Sequence, residues 1–212
     1  MNADPLAGVY RTLEYLAFGR ALERCRFSLL DAASTAQRIL ILGEGDGRFL
    51  ARLLAHNPEA RVDVVEASAR MLALARARIL PGDLLRVRFF PQDALRGLPP
   101  ITYDAIITNF FLDCLTAEEA RQFIPAAVQL LDRQGCWLVG DFHLPDAGLR
   151  RWHAQVWLAA MYSFFAVTTG LRARQIPDYP LDLSRAGLVR QEQRFWRWGL
   201  LTAERYGFAS DS

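Results

Sequence analysis

Lysine is absent from this chain of 212 residues; all 25 basic side chains are arginine. Set against 23 acidic residues they leave a formal charge of +2, too small to mark nucleic acid as the partner, and no dense basic run exists. Exclusive use of arginine is what a GC-rich coding sequence produces and does not by itself require a role for guanidinium groups. Paired cysteine spacing is missing too: Cys25, Cys114 and Cys136 lie far apart, which excludes a disulfide frame or a cysteine metal site and leaves three small apolar residues. No apolar run is long enough to span a bilayer. The longest, from Trp157 to Val167 with only Ser163 interrupting, falls short of the roughly 18–20 residues required. The start, "MNADPLAGVYRTLEYL", has no basic segment leading into an apolar core, so no signal peptide is expected and a cytoplasmic location is the default.

What the chain does have is an apolar half, 52% of residues, and a rhythm of short apolar runs alternating with amphipathic stretches. A helix is expected over roughly Leu6 to Leu30. Then "RILIL" reads as a strand, "RFLARLLAH" as a helix, "RVDVVEA" as a strand, "SARMLALARARIL" as a helix and "LLRVRFF" as a strand. "YDAIITNFF" is a fourth strand, "TAEEARQFIPAAVQLL" a helix and "GCWLVGDF" a fifth strand. Strand and helix in repeated alternation predict a parallel sheet covered on both faces. A long apolar helix from about Asp146 to Gly170 breaks the rhythm. The last two strands, "GLVRQEQRFWRW" and "GLLTAERYGF", are joined too tightly for a helical crossover and must be antiparallel. No linker divides the chain. One domain is expected, with a helical cap over 1–36, a ligand-binding core over 37–142, an aromatic segment over 143–187 and a terminal hairpin over 188–212.

"ILILGEGDGRFLARLL" is a strand, a glycine turn and a helix in that order. In an open parallel sheet ligands sit beyond the carboxyl ends of the strands. Gly43, Gly45 and Gly47 permit positive φ and remove Cβ atoms that would block close approach, and the following helix N-terminus suits an anion. The dinucleotide fingerprint would need glycine at position 48, which is Arg48. Glu66 ends the second strand, where a carboxylate can accept both hydroxyls of a ribose. Asp93 follows the third strand, and Asn109 ends the fourth. Taken singly each reads as a capping or surface residue; together they mark four successive strand ends.

With these residues the chain resembles the class I S-adenosylmethionine-dependent methyltransferases. "ILILGEGDG" is similar to their glycine motif, "VDVVEAS" to their ribose-binding acid, "PQDAL" to their adenine-side motif and "YDAIITNFFLDCL" to the segment facing the methyl group. The resemblance covers nearly the whole chain. It implies an α/β, Rossmann-like, doubly wound sheet of seven strands in the order 3-2-1-4-5-7-6, the last antiparallel, with an added N-terminal helix. It implies S-adenosylmethionine as cofactor, with Gly43, Gly45 and Gly47 along its methionine part, Glu66 on the ribose and Asp93 on the adenine amine. Ala67 and Met71 would flank the adenine ring on one side, Ala94 and Leu95 on the other; for Met71 simple helix packing is the competing reading. The acid that the family often carries two residues before its first glycine is Ile41 here. Contact to the methionine ammonium then falls to the carbonyls of Gly43 and Asn109, or to Glu44.

Methyl transfer from a sulfonium is an in-line displacement, and a base is needed only when the acceptor carries a proton that must leave. His143, just past the fifth strand, is one candidate base, with Asp141 to orient it; a backbone hydrogen bond is the alternative. Asp113 is a second candidate, the alternative being a capping role near Thr116. Tyr10, Tyr15, Phe110, Trp157 and Tyr162 are candidates to line a flat apolar cavity for an aromatic or lipophilic acceptor, and core packing is the alternative. The expected partner is a small molecule, with no nucleic acid, no metal and no integral membrane segment. Arginines bracketing the aromatic helix leave peripheral membrane contact open, and oligomeric state is not readable. Two other functions compete: a non-catalytic domain that binds S-adenosylmethionine, and an aminopropyltransferase-like enzyme, against which the aromatic, arginine-rich acceptor segments argue.

Overall fold

The computed structural model describes residues 18–209. Seven strands form one sheet in the order β3-β2-β1-β4-β5-β7-β6, with β1 Arg38–Leu42, β2 Arg61–Val65, β3 Val87–Phe90, β4 Tyr103–Asn109, β5 Leu131–Phe142, β6 Leu188–Trp196 and β7 Leu201–Phe208. β1 to β5 run parallel, and β7 is antiparallel to both β5 and β6. This is the topology expected from the resemblance.

The central strands are nearly continuous apolar runs because both of their faces are covered. In β1, Ile39, Leu40, Ile41 and Leu42 are all buried. Alternate residues feed two cores. Ile39 and Ile41 face one core together with α1 (Ala21–Phe27), α2 (Arg48–His56) and α5 (Gly148–Thr169). Leu40 and Leu42 face the other, under α4 (Ala117–Val128) and α6 (Tyr179–Arg185). Each fully buried Leu, Ile or Val contributes about 1.5–3 kcal/mol relative to exposure, so this layer needs no disulfide. Trp137 of β5 is fully buried and donates its indole N–H to Thr108 Oγ1 at 3.0 Å.

Several boundaries differ from the sequence reading; β5, for one, begins at Leu131 and not at Gly135. β3 begins at Val87 and not at Leu84, because Pro81–Arg86 forms a tight turn. There the Arg86 guanidinium bonds the carbonyls of Leu54, Asn57 and Ala60 at 2.6–3.2 Å. β4 stops at Asn109 because Phe110 takes φ 55, outside any strand conformation. Within the described residues the N-terminal helical stretch is interrupted at Gly19, φ 58, and α1 ends at Phe27.

Between β1 and α2 the backbone folds back through Gly47, which has φ 84 and caps α2. A Cβ added there would stand 2.5 Å from Ala75 Cα in α3 (Ala69–Arg78), so the glycine is required by helix packing. Replacing Gly47 by Ala is expected to cost about 2–4 kcal/mol, combining left-handed strain with overpacking. Urea unfolding checks this; a midpoint equal to wild type would show that α3 moves aside freely.

Candidate functional site

The tips of β1, β2 and β4 and the turn after β3 surround an open cleft. Gly43, Glu44 and Gly45 form its floor beside Val65 and Glu66. Ala67 and Met71 line one side, Asp93, Ala94 and Leu95 the next, and Asn109 and Phe110 a third.

Glu66 is turned into the glycine loop. Its Oε2 accepts the N–H of Gly45 at 3.1 Å and its Oε1 accepts that of Ser68 at 2.9 Å. Gly45 has φ 70 and nothing within 4 Å of where a Cβ would stand; of the three glycines it is the one whose missing side chain leaves open space. Gly43 instead makes room for Phe111, whose ring would come within 2.7 Å of a Cβ. Gly47 makes room for α3. The alternation therefore serves packing at two positions and the cleft at one. Asp46 is held at the rim by Arg48 at 3.0 Å and Arg78 at 2.9 Å. Ser68 caps α3 through Met71 N–H at 3.1 Å; Met71 is buried and also lines the cleft, so packing and lining coexist. Asp93 caps the turn after β3 by accepting Leu95 N–H at 3.0 Å.

Two buried polar atoms in this cleft have no hydrogen-bond partner: Glu44 Oε2 and Asn109 Nδ2. Unpartnered buried polar atoms are rare and call for an explanation. Glu44 Oε1 accepts Leu50 N–H at 2.9 Å, in the first turn of α2. Burial pushes the Glu44 carboxyl up to about 8, opposed by that hydrogen bond and by the charge of Arg26. Asn109 lies against Gly140, where a Cβ would come within 2.7 Å of its Oδ1. An amide N–H and a carboxyl oxygen, both unmatched and both on residues of the cleft wall, suit the carboxylate and ammonium of an amino acid. With Glu66 below the turn and apolar residues around Met71, the residues present fit the methionine, ribose and adenine of S-adenosylmethionine.

Asp113 and Asp141 stand behind this wall, both buried, and neither is among the cleft-lining residues. Asp141 Oδ2 accepts Asp113 N–H at 3.2 Å and Oδ1 accepts Phe142 N–H at 2.8 Å. Burial raises Asp113 to about 6. Burial and then the Asp113 charge raise Asp141 well above its usual range. His143 lies apart from the cleft lining. Its Nδ1 is 2.8 Å from the carbonyl of Gly199, which can only accept, so the proton sits on Nδ1. Tyr162 is buried and donates to the Asp113 carbonyl at 3.2 Å. Trp157 packs on Phe18, ring centroids 5.6 Å apart. Of the acceptor-side candidates among the described residues only Phe110 lines the cleft; Tyr10 and Tyr15 lie outside those residues.

Sequence reasoning missed Arg26, Phe111, Cys114, Glu119, Leu171 and Arg172, all of which line the cleft. Glu119 was legible as half of a capping box with Thr116. Its ion pair with Arg172, in the segment after α5, joins positions too far apart for any local signal. Among the described residues no helix is long and apolar enough to cross a membrane.

A family model described as a methyltransferase domain matches residues 40–137. Ribosomal RNA large subunit methyltransferase G of Aeromonas salmonicida is 30% identical over 146 residues, 65% of this chain and 39% of that protein. Polyamine aminopropyltransferase 2 of Streptomyces coelicolor is 32% identical over 151 residues, 66% of this chain and 25% of that protein. The chain thus spans about two fifths or less of the length of these relatives. Among solved structures, an O-methyltransferase family protein from Burkholderia thailandensis superposes with a TM-score of 0.69 at 22% identity, covering 97% of this chain and 62% of that one. CalO1, a methyltransferase of calicheamicin biosynthesis in its SAH-bound form, gives 0.67 at 18%, covering 94% and 56%. At these identities the structural likeness is one of fold.

The buried Asp113 carries a pH prediction. Burial raises its folded pKa from 3.8 to about 6, and raises that of its partner Asp141 as well, so the native carboxyl pair holds its protons more tightly than the unfolded chain. The stability linked to the Asp113 proton is complete below about pH 4 and is lost as pH rises through about 6. Asp113→Asn is expected to flatten the fall in urea midpoint over this interval, measured at a series of pH values. An unchanged slope would assign it to other groups.

Proposed function

We propose that this chain, whose residues 40–137 match a methyltransferase-domain model, acts as a class I S-adenosylmethionine-dependent methyltransferase and transfers a methyl group to a small aromatic or lipophilic acceptor. The cofactor, when bound, supplies a methyl group on a sulfonium that is already activated as a leaving group. Glu66 would hold the ribose hydroxyls, Asp93 the adenine edge, and Glu44 with Asn109 the amino-acid end. The observation that carries the reading is the pair of unmatched polar atoms, Glu44 Oε2 and Asn109 Nδ2, in a cleft whose floor is the glycine turn.

The chain's own part in the reaction is to place the acceptor. Phe110 is held at φ 55 by its N–H to the Gly140 carbonyl at 2.7 Å. Its ring meets Phe142 at 5.4 Å and the Arg26 guanidinium at 5.6 Å. With Leu171 it offers an apolar wall for a flat acceptor, and such positioning contributes on the order of 7–11 kcal/mol in favourable cases. His143 and Asp113 are set back from this wall; in our reading they act through its shape and charge and not on the acceptor. An aminopropyltransferase would need carboxylates available to grip a polyamine. Here Asp46 is paired with Arg48 and Arg78, and Glu119 with Arg172, which disfavours that reading. The relative whose name refers to ribosomal RNA keeps a nucleic-acid acceptor as the comparison arm of the test.

Glu66→Ala is expected to weaken S-adenosylhomocysteine binding by about 1–3 kcal/mol, through loss of charge-assisted hydrogen bonds. Calorimetry reads the affinity and urea unfolding shows whether the turn survives; equal affinity would remove Glu66 from the site. Transfer of an isotope-labelled methyl group to flat apolar phenols, compared with ribosomal RNA, addresses the acceptor. Label on RNA alone would overturn the small-molecule reading.

A further inference from the structure

Glu44 combines three features that belong together in no ordinary turn residue. Its carboxyl group stands between the glycine loop and the start of α2. One carboxyl oxygen is committed to Leu50 N–H at 2.9 Å, while the other is buried, unpartnered and part of the cleft lining. Among the described residues no cation is hydrogen-bonded or ion-paired to it. The charged groups facing it are Arg26 from α1, Asp46 from its own loop and Glu66 from the tip of β2. Arg48 at the start of α2 bonds Asp46 at 3.0 Å, and at the mouth of the cleft Arg172 is engaged by Glu119. Two carboxylates and one arginine act on Glu44 through space, and burial dominates, holding the carboxyl neutral up to about pH 8.

We propose that Glu44 receives the ammonium group of the cofactor's amino-acid end and first gives up its own proton to solvent, so that loading of the cleft releases a proton. The inference rests on the cofactor reading above. Only the O–H bond of Glu44 breaks; the proton leaves to buffer, and the carboxylate left behind accepts an N–H of the ammonium. Asn109 Nδ2, the other unmatched atom of the wall, donates to the adjoining carboxylate of the same ligand. A ligand lacking the amino-acid end gives Glu44 nothing to pair with and leaves its proton in place. The chain therefore discriminates between two nucleosides with the same adenosine by a pH-dependent increment confined to one of them.

Calorimetry with S-adenosylhomocysteine and with methylthioadenosine, which keeps the adenosine and lacks the amino-acid end, tests this. Titrations run in two buffers of different ionisation heat between about pH 6 and pH 8, where linkage allows at most about a tenfold change per pH unit for one proton. The expected result is tightening of S-adenosylhomocysteine with rising pH, flattening near about pH 8, and release of up to about one proton at the acid end. Methylthioadenosine affinity stays flat. Glu44→Gln abolishes both the slope and the proton release and leaves methylthioadenosine unchanged, which also reports an intact pocket. PH-independent binding of S-adenosylhomocysteine by the wild type overturns the proposal without any variant. So does a slope that persists in Glu44→Gln. Failure of the wild type to bind either nucleoside instead overturns the cofactor reading itself.

Discussion

The cleft depends on one carboxylate receiving two backbone N–H groups from different parts of the chain. Glu66 ties the turn after β1, through Gly45 N–H, to the start of α3, through Ser68 N–H. Gly43 N–H adds a bond from the same turn to the Val65 carbonyl at 2.9 Å. Charge-assisted bonds of this kind are about twice as strong as neutral ones. They fix the spacing between the first two strand tips, and every other wall of the cleft is placed relative to those tips. A carboxylate has about four acceptor directions, so holding the turn does not exhaust what Glu66 can do toward a ligand.

Around this tie, charge is distributed unevenly. At the rim, carboxylates are matched by arginines: Asp46 by Arg78, Glu119 by Arg172. On the outer strands Asp63 takes a two-pronged contact from Arg88, at 2.7 and 2.6 Å, and the hydroxyl of Tyr103 at 2.7 Å. Inside the wall, Asp113 and Asp141 are buried and Glu44 has one buried, unpartnered carboxyl oxygen; among the described residues none of the three has a hydrogen-bonded cation, and all are pushed toward their neutral forms. Arginine's planar fork explains how a chain without lysine makes its rim. Arg86 reaches three carbonyls of the α2–β2 connection, a task for which a compact ammonium has the wrong shape.

Much of this was legible in the sequence where the determining interactions are local. The alternation of strand and helix followed from periodicity and the antiparallel last pair from the short join at Gly199, whereas the spatial order of the strands was what the family resemblance implied. Glu66, Asp93 and Asn109 were found because they end consecutive strands. The local rule failed where long-range contacts decide. β3 starts late because Arg86 is drawn to carbonyls far back in the chain. The carboxyl pair of Asp113 and Asp141 was invisible because the two belong to different strand tips. The ion pair of Glu119 and Arg172 bridges α4 to the segment after α5. Glycine spacing located the turn correctly but did not reveal that packing against Phe111 and Ala75 requires two of its three glycines.

Why the acid sits at Glu44 and not in the strand before it follows from the sheet. Ile41 pairs with Val64 on one side and Ile107 on the other and points into a core with α2. A carboxylate there would lose its hydration with only apolar neighbours, a cost of several kcal/mol per ion. Moved three residues on, past the end of the strand, the same group meets the N-terminal turn of α2, whose unpaired N–H groups and partial positive charge offset part of the desolvation. The Leu50 N–H bond is that compensation in atomic form. It stabilises one oxygen and leaves the other dependent on whatever enters the cleft. The position thus joins an acid the apolar strand could not hold to a helix terminus that only half satisfies it, and the proposed binding role of the turn rests on the unsatisfied half.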